Sequence, residues 1–183
     1  GRGRLPVESL AVLPVVHSLV FLFGSAGVAM QEAAIALLGR ARENLKELGR
    51  FSAMLGGAAT AALALPAFTP LRLAWFRDVS GLSPELSALA AAPVMIMVLQ
   101  PALTLLLSFQ RAILMVERRT RPITYATLLE VGGIVAGLAA GIHGFAWVGV
   151  RAAAAAYVLG RVLSVAYLAG AVARRPPPPC DPA

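Results

Sequence analysis

The stretch from Pro122 to Ile142 carries one charged residue, Glu130, in a run of mostly apolar side chains. A membrane-spanning helix takes about 20 predominantly apolar residues, and this run is long enough. A carboxylate at that depth is costly, so it usually faces a bundle interior or a water-filled path. The run therefore predicts a spanning helix, and Glu130 is a candidate functional residue within it.

The composition of the whole chain is that of a membrane protein. Of its 183 residues, 58% are hydrophobic and 14% are charged, whereas soluble domains carry about 25% charged residues. The formal net charge of +7 could suggest nucleic-acid binding. However, the basic residues form short clusters between apolar runs, without interleaved aromatic side chains, as topology signals do. We therefore expect contact with membrane lipids and no nucleic-acid partner.

The apolar runs predict an all-α, polytopic transmembrane bundle in residues 1–172 and a Pro-rich cytoplasmic tail in residues 173–183. Ser83-Pro84-Glu85 is a helix start, because Ser caps, Pro fits the first turn and Glu suits the positive end of the dipole. Five spans are predicted, at about residues 8–38, 51–71, 84–116, 122–142 and 145–172.

The first predicted span is longer than the ~30 Å hydrocarbon core requires. It is either one long, tilted helix or a re-entrant pair broken at Gly24-Ser-Ala-Gly27. We favour one helix, because a hairpin would spoil the distribution of basic residues between the two sides of the membrane.

Lys and Arg residues follow alternate loops, ten on one side and four on the other. The richer side is expected in the cytoplasm, which places the N-terminus of this chain outside and its C-terminus inside, in the cytoplasmic (inner) membrane. The chain begins with Gly and not Met, so we expect a fragment or a processed chain. The ten are Arg40, Arg42, Lys46, Arg50, Arg111, Arg118, Arg119, Arg121, Arg174 and Arg175, and the four are Arg2, Arg4, Arg72 and Arg77.

Polar residues recur on one side of two predicted spans. In an unbroken first helix His17, Gly24, Ser25, Gln31 and Glu32 form one stripe, and Gln100, Thr104, Ser108 and Arg111 form another in the third span. These stripes predict either a shared wet cavity or interhelical hydrogen bonds worth about 0.6–2 kcal/mol each. The candidates for a substrate cavity are His17, Gln31, Glu32, Gln100, Thr104 and Glu130.

The last two spans are predicted to form a close antiparallel hairpin. Gly133, Gly137 and Gly141 recur at four-residue spacing, which lets a second backbone approach closely; we expect them to meet Gly149 and the Ala152–Ala156 run. With the turn near His143-Gly144, Glu130 falls within a turn of Arg161. We therefore predict a structural Glu130–Arg161 ion pair.

The chain offers little for catalysis. It has two histidines and one cysteine, Cys180, which lies in the tail. No Ser-His-Asp set, metal cluster, phosphate-binding glycine loop or haem site is recognisable. We expect no enzymatic activity, no metal and no cofactor.

Several strings resemble the multidrug/oligosaccharidyl-lipid/polysaccharide (MOP) flippase superfamily, which includes MATE-type exporters; the progressive ankylosis branch is the most similar through its Glu…Leu-Pro-Val-x-His pattern. The resemblance covers residues 8 to about 170. The strings are Glu8-Ser-Leu-Ala-Val-Leu-Pro-Val-Val-His17, Ala36-Leu-Leu-Gly-Arg40, Phe109-Gln-Arg-Ala112, Arg119-Thr-Arg-Pro-Ile123 and Gly141-Ile-His-Gly-Phe-Ala-Trp-Val-Gly149.

The resemblance implies that this chain is the C-terminal half of a twelve-helix transporter with two lobes, and that an N-terminal lobe is its missing partner. Such a protein would be a secondary transporter or flippase that moves an amphipathic or anionic solute by alternating access. The third span lacks a membrane-level carboxylate of the kind found in some cation-coupled exporters, so no ion site is carried over. The alternative is a non-transporting membrane scaffold or complex subunit, which solvent access to the polar stripes would distinguish.

Overall fold

A computed structural model describes residues 6–38, 44–143 and 149–174 of the chain. Some predictions concern residues outside these ranges, namely Arg2, Arg4, Arg40, Arg42, Gly144, Arg175 and Cys180. Within these ranges the secondary structure is helical, as predicted, and five helices are long and apolar enough to cross a membrane. The chain is therefore an all-α membrane protein.

The helices follow the predicted spans closely. The second span begins earlier than predicted, at Leu45, and ends where Thr69 adopts an extended conformation. The helices are α1 (Pro6–Gly24), α2 (Ala26–Leu38), α3 (Leu45–Phe68), α4 (Leu71–Leu73), α5 (Pro84–Ile96), α6 (Gln100–Val116), α7 (Arg121–His143) and α8 (Gly149–Ala173).

The first span is one helix interrupted by a single turn residue, Ser25. Its first half, α1, packs on α5 and α8, and its second half, α2, packs on α6. A β-carbon on Gly24 would lie 4.0 Å from the Pro101 Cα, and one on Gly27 would lie 3.3 Å from the Ser108 Oγ. Both halves therefore run in the same direction along the third span, and the prediction of one long helix is confirmed.

The third span is also interrupted. The Ser83 hydroxyl accepts a hydrogen bond from the Leu86 amide, with Pro84 in the first turn, so the predicted helix start is confirmed. A 3₁₀ turn at Met97–Leu99 separates α5 from α6. Pro93 in α5 and Pro101 in α6 flank that turn, and proline removes a backbone donor and disturbs the helical hydrogen-bond ladder.

The connection between the second and third spans is helical, which the sequence analysis did not predict. The three-residue α4 continues into a π-helical segment, Ala74–Val79. The Phe76 side chain is fully buried there, against the cluster that contains Val12, Leu63 and Val94. This contact fixes the connection to the end of the bundle at which α1 begins.

The last two helices form the hairpin predicted from the glycine spacing. A β-carbon on Gly133 would lie 2.7 Å from the Leu163 Cδ1, one on Gly137 would lie 3.1 Å from the Ala156 Cα, and one on Gly141 would lie 2.8 Å from the Ala152 Cβ. Gly160, which was not predicted, also belongs to this contact, because its Cα lies 3.1 Å from the Gly133 β-carbon position. Most of the interhelical contacts of α7 are with α8.

Candidate functional site

Three charged side chains meet where α6 approaches the α7–α8 hairpin. Arg161 Nη1 lies 3.3 Å from Glu130 Oε1, so the ion pair predicted from the hairpin register is present. Arg111 Nη2 lies 3.8 Å from the other carboxylate oxygen, Oε2. We refer to Arg111, Glu130 and Arg161 as the charge cluster.

The close packing of the hairpin positions two members of the charge cluster. A β-carbon on Gly160 would lie 2.6 Å from the Glu130 carbonyl oxygen and 2.7 Å from the Ile134 Cγ1. Only glycine allows the two backbones to approach this closely at that level. Because Arg161 follows Gly160 directly, its side chain starts beside the turn of α7 that carries Glu130.

The charge cluster lies inside the membrane-spanning part of the bundle. At 1.5 Å per residue, Arg111 is about 8 Å from the end of α6 and Glu130 about 14 Å from the start of α7. The Glu130 side chain is 15% exposed, and the arginine side chains are 25% and 24% exposed. The Nε atoms of both arginines are buried without a hydrogen-bond partner among the described residues.

His17 extends this polar region toward the first span. Its ring centroid lies 5.1 Å from that of Tyr157, with the rings tilted by 54°. Tyr157 is one turn before Arg161 on α8. His17 therefore packs on α8 one turn from the arginine that pairs with Glu130.

The predicted stripe on the first span is only partly buried in this bundle. Gly24 is buried, and Gln31 is partly buried, with its Nε2 3.9 Å from the Met115 Sδ on α6. Ser25 and Glu32, each about 100° further around the helix, are exposed. The small residues Gly24 and Gly27 turn toward α6, because only they admit its close approach, and this leaves Glu32 outside.

The stripe on the third span is mainly a packing surface. A β-carbon on Gly27 would lie 3.0 Å from the Thr104 Cγ2, so Thr104 fills the contact between α2 and α6. Gln100 is 3% exposed, and its Oε1 is buried without a hydrogen-bond partner among the described residues. These two candidates therefore lie within helix contacts in this structure.

Two grooves on the surface are apolar and contain none of the predicted cavity residues. One, of about 440 Å³, is lined by Leu45, Phe109, Ile113, Val172 and Ala173. The other, of about 420 Å³, is lined by Tyr125, Leu128, Leu129 and Tyr167. Among the described residues no group of His, Cys, Asp or Glu side chains is arranged to hold a metal ion.

Arg111 is the one member of the charge cluster that was not predicted from the sequence. The sequence placed Arg111 on the polar stripe of the third span and counted it among the cytoplasmic basic residues. Its distance along α6 from the helix end was a signal, because an arginine more than one turn inside a span needs a polar partner or a path to water.

The fold and the site define a membrane helical bundle with a three-charge cluster inside its spanning region. Comparison with protein families, with curated proteins and with solved structures finds no match for this chain.

Proposed function

We propose that this chain forms part of a secondary transporter or flippase that moves an amphipathic or anionic solute across the cytoplasmic membrane by alternating access. The resemblance to the MOP superfamily suggests this class, and a second lobe would complete the solute path. The observation that carries the proposal is an exposed polar surface on the first span, at a depth where lipid would otherwise be expected.

This surface, which we call the outer polar face, comprises His17, Ser18, Ser25 and Glu32, all of them exposed, with the exposed apolar side chains of Phe21 and Val28 among them. His17 lies about 15 Å from the start of the span and Glu32 about 9 Å from its end. The two serine hydroxyls donate to carbonyls of their own helix, those of Val15 and Leu22, each at 2.8 Å. His17 and Glu32 are therefore the residues whose exposure calls for water or a polar partner.

The rest of the exposed surface at this depth provides the contrast. Along α7 the exposed side chains include Leu128, Val131 and Val135, as is typical of a lipid-facing helix. Ionisable side chains exposed on the first span, and apolar side chains exposed along α7, fit a lobe whose first span borders a water-filled path. His17 of this face contacts Tyr157, which lies one turn before Arg161 of the charge cluster on α8.

Water access tests the proposal directly. In a Cys180→Ser background, His17→Cys and Glu32→Cys are expected to react with a membrane-impermeant thiol reagent, from one side or the other, during turnover of the full-length protein. Val135→Cys is the matched control, since Val135 is also exposed in the bundle but is expected to face lipid. Its labelling rate should be lower by at least about tenfold, because a thiolate forms poorly in an apolar environment.

The proposal is contradicted if labelling is equally low at positions 17, 32 and 135 in every state, because the outer polar face would then be covered by protein. The scaffold or complex subunit predicted as the alternative would then be the better assignment.

We further propose that the N-terminus of this chain lies outside and its C-terminus in the cytoplasm, because of the ten-to-four distribution of Lys and Arg. Cys180 is the natural reporter, as the single cysteine of the chain. It is expected to resist a membrane-impermeant maleimide in intact cells and to react after the membrane is permeabilised. Labelling of Cys180 in intact cells would reverse the assigned orientation.

A further inference from the structure

We infer that the charge cluster is a binding site for a singly charged phosphate group, with Arg111 as its principal contact. The inference deepens the proposed function, because it names the chemical class that the site would hold. It concerns equilibrium binding, however, and can be tested separately from water access to the outer polar face.

The first argument is charge balance. Among the described residues, Glu130 is the only acidic side chain within ion-pair distance of Arg111 or Arg161. Two guanidinium groups share one carboxylate, so the cluster carries one excess positive charge. An uncompensated charge at membrane depth is costly, and one monoanionic group beside the arginines would neutralise the excess.

The second argument is the supply of hydrogen-bond donors. A guanidinium presents several N–H donors in a planar fork, yet neither arginine makes a geometrically satisfactory hydrogen bond within the described residues. The Nε atoms of Arg111 and Arg161 are buried without a partner. The Ser164 hydroxyl, one turn along α8 from Arg161, is also fully buried and has no hydrogen-bond partner in the described part of the chain. Buried donors in a native protein are nearly always satisfied, so the two guanidinium groups beside Glu130 have donors available for a further acceptor.

The third argument is the unequal engagement of the two arginines. Arg161 lies closer to the carboxylate, at 3.3 Å, than Arg111 does, at 3.8 Å. Glu130 therefore positions Arg161, while Arg111 is the less constrained guanidinium. An arginine fork matches the geometry of a phosphate group with two parallel hydrogen bonds.

A phosphate group could reach this site from two sources. Arg111 lies only about 8 Å from the end of α6, which is within reach of a lipid phosphodiester at that surface. Soluble phosphate could enter if the cluster is open to water through the His17 side. The recognition chemistry is the same in both cases, and the experiment separates them by the probe that binds.

The test is a binding measurement on the purified 183-residue chain in a nonionic detergent. Two probes, dioctanoyl phosphatidylglycerol and inorganic phosphate, are titrated, and the affinity is taken from the shift of the thermal unfolding midpoint with probe concentration. Dioctanoylglycerol, which lacks the phosphate, controls for acyl-chain binding. One of the two probes is expected to stabilise the wild-type protein, and the one that does so identifies the source.

The variants make the test specific to the charge cluster. Arg111→Gln is expected to weaken binding by at least about thirtyfold, since truncating one side of a close charge pair typically has that effect. Arg151→Gln is the matched control: Arg151 is exposed on α8, outside the cluster, and its loss should change the affinity by less than about twofold. Glu130→Gln removes the competing carboxylate and is expected to tighten binding severalfold, which a merely structural role would not do.

Arg111→Lys covers the case in which Arg111→Gln does not fold, because it keeps the charge but loses the planar fork, and its affinity should be intermediate. The inference fails if neither probe stabilises the wild-type protein, if Arg111→Gln and Arg151→Gln bind alike, or if Glu130→Gln binds more weakly. Such a failure together with water-accessible His17 and Glu32 would leave the proposed transporter standing. Phosphate binding with inaccessible positions 17 and 32 would instead leave a binding site without transport.

Discussion

Glu130→Gln is expected to lower the free energy of unfolding of the bundle more than Arg161→Gln does. Without the carboxylate, two guanidinium groups remain close together at membrane depth, and the expected loss is about 3–4 kcal/mol. Without Arg161, Glu130 keeps Arg111 at 3.8 Å, and the expected loss is smaller, about 2 kcal/mol. Reversible unfolding in detergent, with matched lipid content, measures both values.

The double variant Glu130→Gln/Arg161→Gln distinguishes an ion pair from two independent effects. It carries the same net charge in the cluster as the wild-type protein, so part of the loss should be recovered, with a coupling energy of about 1–3 kcal/mol. The double variant Glu130→Gln/Arg151→Gln is the control, and there the two losses in free energy of unfolding should add. Strict additivity in both pairs would show that Glu130 and Arg161 do not interact in the folded protein.

Gly137→Leu is expected to separate α7 from α8 and to destabilise the bundle by about 1–3 kcal/mol. The β-carbon alone would lie 3.1 Å from the Ala156 Cα and 3.3 Å from the Leu159 Cδ2. The remaining atoms of leucine would have no space unless the helices moved apart. Since the same contact sets the distance between Glu130 and Arg161, the ion pair should be weakened as well.

Gly132→Leu is the matched control for this substitution. Gly132 lies on the same helix and has no atom within 4 Å of its β-carbon position, so leucine there should leave the unfolding midpoint nearly unchanged and can raise it slightly through helix propensity. Equal stability of the two variants would mean that α7 does not pack on α8 through Gly137.

The spans could be predicted because their length and apolarity are properties of the chain itself. The third span begins at Pro84 and ends at Val116, as predicted, since Ser83 caps one end and the basic residues that follow Glu117 mark the other. The Glu130–Arg161 pair was predictable for a related reason. A short turn between two helices fixes their register, and register decides which residues lie at the same level.

The rotation of one span against its neighbours was not predictable in the same way. Helical periodicity placed His17, Gly24, Gln31 and Glu32 on one broad stripe, but it does not say where the closest neighbour lies. The contact of Gly27 with Thr104 and Ser108 decides that question, and it involves residues far apart in sequence. The approach of Arg111 to Glu130 depends on the same kind of tertiary contact.

The interruptions of the first and third spans lie at the same level, because Gly24, next to Ser25, faces Pro101, next to the 3₁₀ turn at Met97–Leu99. Each break lacks part of the regular backbone hydrogen-bond ladder, so each is a place where a helix bends at low energetic cost. These two breaks lie side by side, with α1 and α5 before them and α2 and α6 after them, and both α3 and α8 pack on α5 as well as on α6. Arg111 lies on α6, beyond the break, so any bend at this level would change its distance from Glu130 on the hairpin.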